Sequence, residues 1–159
     1  MIQVVCHDPA WSMQFQKEAG RIKEAAGEVV VRVHHIGSTA IPQTKAKPVI
    51  DILLEVASHE VLEQKAPRLR GLGYEAMGEF GIPGRRYFRL DDASGRRTHQ
   101  VHAFEVGAPE VLRHLAFRAY MRAHSAAARE YGELKQSLAR AHPLDRTGYL
   151  AGKDASVKE

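Results

Sequence analysis

One eight-residue run, Val49-Ile50-Asp51-Ile52-Leu53-Leu54-Glu55-Val56, constrains this chain more than any other stretch. Its apolar residues fall on both faces of an extended strand, which marks a central strand covered on both sides. An unpaired charge in such a setting is costly, so the two acids need a reason to be there. At period two, Val49, Asp51, Leu53 and Glu55 share one face, and Ile50, Ile52 and Leu54 the other. The acid-bearing face is half apolar, like the floor of a cleft. Upstream, Val29-Val30-Val31-Arg32-Val33-His34-His35-Ile36 reads as a strand that runs into Gly37-Ser38-Thr39. A Gly-Ser turn offers backbone N–H groups and a hydroxyl to a phosphate. Acids facing it suit Mg²⁺ bridging that phosphate. The plainer reading, an ordinary turn beside a strand-end acid, stays open on spacing alone.

The remaining pattern alternates helix and strand up to about residue 107 and is helical from 108 to 159. Asp8-Pro9 reads as a helix start, and Trp11, Phe15, Ile22 and Ala26 form an apolar stripe ending at Gly27. On the first strand His34 and His35 point to opposite faces, so they cannot share one metal. Ser58 caps a second helix whose pattern is interrupted by Pro67, where a kink or break is expected. Residues 78–86 form a glycine-rich turn carrying Arg85 and Arg86, with Arg89 on the strand after it. Glycines let a backbone approach an anion closely, so these arginines are phosphate candidates, with solvated loop residues as the plainer reading. Asp91-Asp92-Ala93-Ser94-Gly95 reads as a hairpin turn. The returning strand, Thr98–Val106, puts Gln100, His102 and Phe104 on one face, with His99 and Glu105 on the other.

Two helices follow. The first carries the stripe Val111, Leu112, Leu115, Ala119. In the second, capped by Ser125, Lys135 stands one position off the stripe Ala128, Tyr131, Leu134, Leu138. After Pro143, Tyr149 and Lys153 lie four residues apart on one side of a last segment, and a lysine placed so reaches a triphosphate.

The length of 159 residues fits one domain, 1–159. The single cysteine, Cys6, forms no internal disulfide and suits a reducing cytoplasm. The first residues lack a basic-then-apolar signal pattern, and no apolar run is long enough for a membrane span. A cytoplasmic location without membrane contact is expected. The formal charge of +4 favours anionic partners. Aromatics make up only 7% of the chain and no basic stripe interleaves with them, which argues against nucleic acid. The sequence does not set an oligomeric state.

Several motifs occur together in a familiar order. They are Asp8-Pro9-x-Trp11 with Phe15; His35-Ile36-Gly37-Ser38-Thr39-Ala40-Ile41-Pro42; Lys47-Pro48-Val49-Ile50-Asp51-Ile52; and Gly81-Ile82-Pro83-Gly84-Arg85. Arg97-Thr98-His99, His102, the run from Arg113 to Tyr120, Tyr131 with Leu134-Lys135, and Asp145, Tyr149 and Lys153 continue it. In these the chain resembles the GrpB family, small proteins assigned to the nucleotidyltransferase superfamily and also found fused to dephospho-coenzyme A kinase. The resemblance implies an α/β (α+β) fold, a mixed sheet flanked by helices with a helical C-terminal part. It implies that Gly37 and Ser38 contact the phosphates of a nucleotide and that Asp51 holds a divalent metal. The superfamily pattern has a second acid two residues after the first, and here that position is Leu53. Glu55 lies on the same face but roughly 6–7 Å further along.

The expected activity is transfer of a nucleotidyl group from a nucleoside triphosphate to a small acceptor. Asp51, with His102 or Glu55, would hold Mg²⁺ (or Mn²⁺). Gly37 and Ser38 would hold phosphate, and Arg85, Arg89, Lys135 and Lys153, with Tyr149, would complete the nucleotide site. His35 would act as base if its side chain turns into the cleft. The alternative, favoured by Leu53, is an inactive module that binds a nucleotide or a coenzyme A-related phosphate compound.

Overall fold

The computed structural model of the protein describes residues 4–141. Tyr149 and Lys153 therefore lie outside the described residues. Helix α1 spans Ala10–Ala26, with Asp8 Oδ1 accepting the Ala10 N–H at 2.9 Å. Gly27, at φ 72°, ends it. Strand β1 (Val30–Ile36) follows, then a single 3₁₀ turn at Ser38–Ala40, then β2 (Ile50–Val56). Helix α2 (His59–Gly71) is capped by Ser58, whose side chain accepts the Val61 N–H at 3.3 Å. Strands β3 (Glu75–Ala76), β4 (Arg86–Asp91) and β5 (Arg97–Glu105) complete the sheet. Helices α3 (Pro109–Ala123) and α4 (Ser125–Ala141) close the described chain.

The sheet has the order β1-β2-β5-β4-β3. The central pair β2/β5 is parallel and the other pairs are antiparallel, so the sheet is mixed. Ile52, Leu54, Val101 and Ala103 face α1 and α2 in the main core, with Trp11, Ile22, Leu62 and Leu69. The opposite face carries Ile36, Leu53 and Phe104 under Val111 of α3. A third cluster, Ile41, Met121, Ala128 and Tyr131, joins α3 and α4 to the segment after the 3₁₀ turn. The sheet therefore sits between two helical layers, as its doubly apolar central strand requires.

The expected break at Pro67 does not occur, because α2 runs through it. Leu62 and Leu69 bury the same face of the helix on either side of the proline, which is itself exposed. The bond lost at Pro67 is thus on the solvent side, where water takes its place. The stripe expected on α3 also differs. Val111 is buried, but Leu112 is 71% exposed. Polar groups take over part of the docking: Arg118 donates to the His35 carbonyl at 2.9 Å and Arg122 to the Ala40 carbonyl at 3.0 Å. On α4 the buried stripe is Ala128, Tyr131, Lys135 and Ala139, so Lys135 stands in the stripe rather than beside it.

Candidate functional site

Register fixes the site. Ile36 pairs with Asp51 across β1/β2, and Asp51 pairs with Gln100 and Leu53 with His102 across β2/β5. Asp51, Leu53, Gln100, His102 and Phe104 therefore share the face away from α1 and α2. Above it lies a cavity of about 720 Å³. Its floor is Ile36, Asp51, Gln100, His102 and Phe104. One wall is the turn Gly37-Ser38-Thr39 with Lys47 and Val49. A second is Glu110, Arg113, His114 and Phe117 of α3 with Tyr131 and Lys135 of α4. Ile82 and Pro83 of the glycine-rich loop edge it.

Turn and acid are in direct contact. Gly37 has φ 73° and ψ −173°, a conformation essentially reserved for glycine. A Cβ added there would lie 2.6 Å from Asp51 Oδ2 and 3.0 Å from Asp51 Cβ. The bare glycine backbone is what lets the carboxylate sit against the turn. The 3₁₀ turn is closed by Ala40 N–H to Gly37 O and Ile41 N–H to Ser38 O, both 3.1 Å.

Asp51 Oδ1 lies 3.2 Å from His102 Nε2. The other ring nitrogen, Nδ1, is 3.2 Å from Arg85 NH1, a group that only donates. Arg85 is buried. Its other N–H groups reach the carbonyls of Glu79 (3.2 Å) and Phe80 (3.0 Å), and it packs over the Tyr87 ring at 4.9 Å.

Lys135 is 2% exposed, and its Nζ lies 4.9 Å from the Tyr131 ring centroid, a cation–π contact. Its helix is pressed against residues 44–45. A Cβ on Gly132 would meet Lys45 N at 2.3 Å, Thr44 Oγ1 donates to the Ala128 carbonyl, and Lys45 Nζ donates to Gln136 Oε1 at 2.7 Å.

The cavity thus gathers Gly37, Ser38, Asp51, His102 and Lys135. Other expected residues lie elsewhere. His35 pairs with Ile52 on the opposite face, is 7% exposed, bonds Thr39 Oγ1 at 2.9 Å and stacks on Phe15 at 4.8 Å. Burial and the Arg122 charge push its pKa down to about 4. It supports the turn from behind and does not reach the cleft as a base. Glu55 is on the site face but accepts from His34 Nε2 at 2.7 Å and Arg32 NH1 at 3.3 Å, which draws it toward the sheet edge. Arg89 is tied to Glu75 at 2.6 Å and lines no part of the cavity. Arg85 reaches His102 rather than open space. Glu105 accepts the His59 N–H at 3.0 Å at the start of α2.

The wall from α3 was not read from the sequence. Glu110, Arg113, His114 and Phe117 follow i, i+3, i+4, i+7 spacing, so one helix face presents them together. That spacing was visible, but the apolar positions beside it drew the reading. His114 has its pKa lowered by burial and then by His102.

Among the described residues no group of three or more His, Cys, Asp or Glu side chains is placed to hold a metal ion. With Leu53 apolar and Glu55 held by His34 and Arg32, Asp51 is the carboxylate on the cavity floor. A two-metal site needs ions about 3.5–4 Å apart bridged by acids, and these donors do not supply it. A single Mg²⁺ needs only one or two protein carboxylates when phosphates supply other oxygens, and Asp51 fits that demand.

With this geometry in view, the comparisons with known proteins are decisive for kinship. A family model described as GrpB protein matches residues 1–159. The chain belongs to the GrpB family. It is 43% identical over 157 residues to the UPF0157 protein YqkA of Bacillus subtilis strain 168, covering 99% of this chain and 45% of that one. It thus spans about half the length of that curated relative. Over 75 residues, 45% of the chain, it is 41% identical to dephospho-CoA kinase of Mycobacterium tuberculosis strain H37Rv, covering 18% of the kinase. Among solved structures, the conserved protein GrpB from Enterococcus faecalis superposes with a TM-score of 0.88 at 40% identity, covering 98% of both chains. Cid1 in complex with the UTP analog UMPNPP superposes with a TM-score of 0.61 at 10% identity, covering 94% of this chain and 48% of that one. At that identity the likeness is one of fold, so the GrpB chain has a nucleotidyltransferase-like fold. No helix among the described residues is long and apolar enough to cross a membrane.

Proposed function

We propose that the cavity binds a nucleoside triphosphate with one divalent ion, Mg²⁺ or Mn²⁺, and that the chain transfers the nucleotidyl group to a small acceptor. The observation that carries this reading is the contact of the Gly37 turn with the Asp51 carboxylate at the cavity floor. It brings a turn whose N–H groups and hydroxyl suit phosphate oxygens beside a carboxylate that suits a hard cation. A nucleotide bound by Cid1 in the same fold supports the ligand class.

In this reading Ser38 and the Gly37 amide hold phosphate oxygens, and Lys135 and Lys47 offset their charge from the walls. Asp51 would hold the ion, which supplies charge neutralisation at the phosphates. The acceptor oxygen attacks the α-phosphorus, the bond to the β-phosphate oxygen breaks and pyrophosphate leaves. His114 takes the acceptor's proton. It lines the cavity, and no hydrogen bond engages it among the described residues. Its pKa is lowered, so near neutral pH the ring is uncharged and has a lone pair to accept the proton. Positioning and charge stabilisation would do most of the catalysis.

Binding without transfer is the second reading. Leu53 at the second acid position, 0% exposed, and the capture of Glu55 by His34 and Arg32 favour it. Pyrophosphate release from each triphosphate, measured with and without candidate acceptors, separates the two. Metal-dependent release that disappears in His114→Gln supports transfer. Tight binding with no release under any condition supports the binding module.

A further inference from the structure

Arg85 was a candidate for phosphate contact, yet its guanidinium is turned away from solvent and spends its donors inside the protein. Nε reaches the Glu79 carbonyl, NH2 the Phe80 carbonyl and NH1 His102 Nδ1. The loop it grips is itself braced: Glu79 Oε2 accepts the Gly84 N–H at 2.7 Å, and His59 Nε2 donates to the Gly84 carbonyl at 2.7 Å. The same loop edges the cavity through Ile82 and Pro83. On the other side of the imidazole lies Asp51, at 3.2 Å. Loop, guanidinium, imidazole and carboxylate thus form one continuous chain of hydrogen bonds.

We propose that Arg85 is a positioning residue that locks His102 in its Nε2–H tautomer and so makes it a fixed hydrogen-bond donor to Asp51. The logic is one of inventory. Nδ1 faces a group with no acceptor, so a proton on Nδ1 would oppose the guanidinium's own N–H. The Nε2–H tautomer satisfies both neighbours. This donor orients the Asp51 carboxylate, with Oδ2 toward the Gly37 turn. It also removes the His102 lone pair from the floor. The site is thereby tuned to a hard, oxygen-seeking cation and away from an imidazole-seeking one such as Zn²⁺. The consequence for cation choice rests on the proposed nucleotide site; the tautomer itself does not.

The test begins with ¹⁵N-labelled protein and no ligand, at mildly alkaline pH where an imidazole is neutral. Long-range ¹H–¹⁵N correlations of the His102 ring report which nitrogen carries the proton. The expected result is Nε2–H with a bare Nδ1, and a mixture of tautomers in Arg85→Met. An Nδ1–H ring in the native protein overturns the proposal, and so does an unchanged tautomer in Arg85→Met. Should Arg85→Met not fold, Arg85→Gln replaces it, because its amide oxygen can accept from Nδ1–H: a ring shifted toward Nδ1–H is expected, and an unchanged tautomer overturns the proposal. Binding of a Mg²⁺–triphosphate is then compared, with a loss of about tenfold or more expected in Arg85→Met and a smaller loss in Arg85→Lys. Absence of nucleotide binding in the native protein contradicts the proposed function and leaves the tautomer result standing.

Discussion

A methyl group on Gly37 would have to occupy space within 2.6 Å of Asp51 Oδ2, at a backbone angle that side chains avoid. Gly37→Ala is therefore expected to destabilise the fold by about 1–3 kcal/mol and to abolish nucleotide binding by separating turn from acid. Denaturant unfolding and nucleotide titration of that variant check both halves; unchanged affinity would contradict the role of the turn. His35 makes a different prediction. Its folded pKa of about 4 lies below the ordinary histidine value of 6.5, so the unfolded chain binds more protons between these values. Its contribution is fully present above pH 6.5 and is lost as pH falls toward about 4, amounting to roughly 3 kcal/mol. His99 and His114, both lowered by burial, add in the same direction. Unfolding temperatures measured from pH 7 down to 4 should fall, and fall less steeply in His35→Gln. An identical slope in the variant would contradict this assignment. At this scale the motifs pointed to Gly37, Ser38 and Asp51, which line one cavity, although spacing alone left an ordinary turn beside a strand-end acid open. Strand alternation set His35 opposite His34 without saying which of them faces the cleft, and the base role expected of His35 fails because its side chain packs against Phe15 of α1. What stayed hidden was the company each side chain keeps: His34 and Arg32 drawing off Glu55, or Arg85 turning inward to His102, are cross-strand and loop contacts that no spacing encodes.

Among the elements, α4 shows how packing places a charge. Gly132 brings the helix so close to residues 44–45 that a Cβ would lie 2.3 Å from Lys45 N. One turn on, Lys135 enters the cavity wall. Gly132→Ala should push the helix outward and carry Lys135 with it. The expected outcome is a lower unfolding temperature together with weaker nucleotide binding, both readable on one purified variant. Retained affinity would show that Lys135 is not needed for the ligand. On the opposite helical layer, Tyr74 donates to Glu18 Oε1 at 2.8 Å, and burial with the neighbouring Glu18 raises the Tyr74 pKa. Tyr74→Phe leaves one carboxylate oxygen of a buried glutamate unsatisfied, although Arg21 still holds the other at 2.9 Å. A loss of about 1–3 kcal/mol is expected by chemical denaturation. Within residues 4–141 the element order followed strand alternation and glycines, apart from the break expected at Pro67. The faces of α3 and α4 were readable in part: Val111, Leu115, Ala128 and Tyr131 pack as their stripes predict, but Leu112 is exposed and Lys135 is buried, because both helices border a polar cavity that apolar periodicity does not register.

For the whole molecule, the sheet order is what makes a site. Placing β5 parallel beside β2 sets His102 next to the strand that carries Asp51, and the antiparallel β1 delivers the Gly37 turn to the same end. Helices α3 and α4 then roof that end, leaving about 720 Å³. The parallel pairing of residues so far apart in the chain is a tertiary fact. The family resemblance implied a mixed sheet; which strands pair, and in which direction, comes from the structure. The central claim is that this roofed end binds a nucleotide through the Gly37 turn and an ion at Asp51. The most direct measurement is thermal unfolding of the protein and of Asp51→Asn against a panel of nucleoside triphosphates, each with and without Mg²⁺ or Mn²⁺. A ligand at a hundredfold excess over its dissociation constant stabilises by about 2.7 kcal/mol, a readable upward shift. The account predicts that at least one triphosphate raises the unfolding temperature, that it needs the divalent ion, and that the shift is lost in Asp51→Asn. A shift of equal size without metal and in the variant, or no shift with any triphosphate, would contradict it.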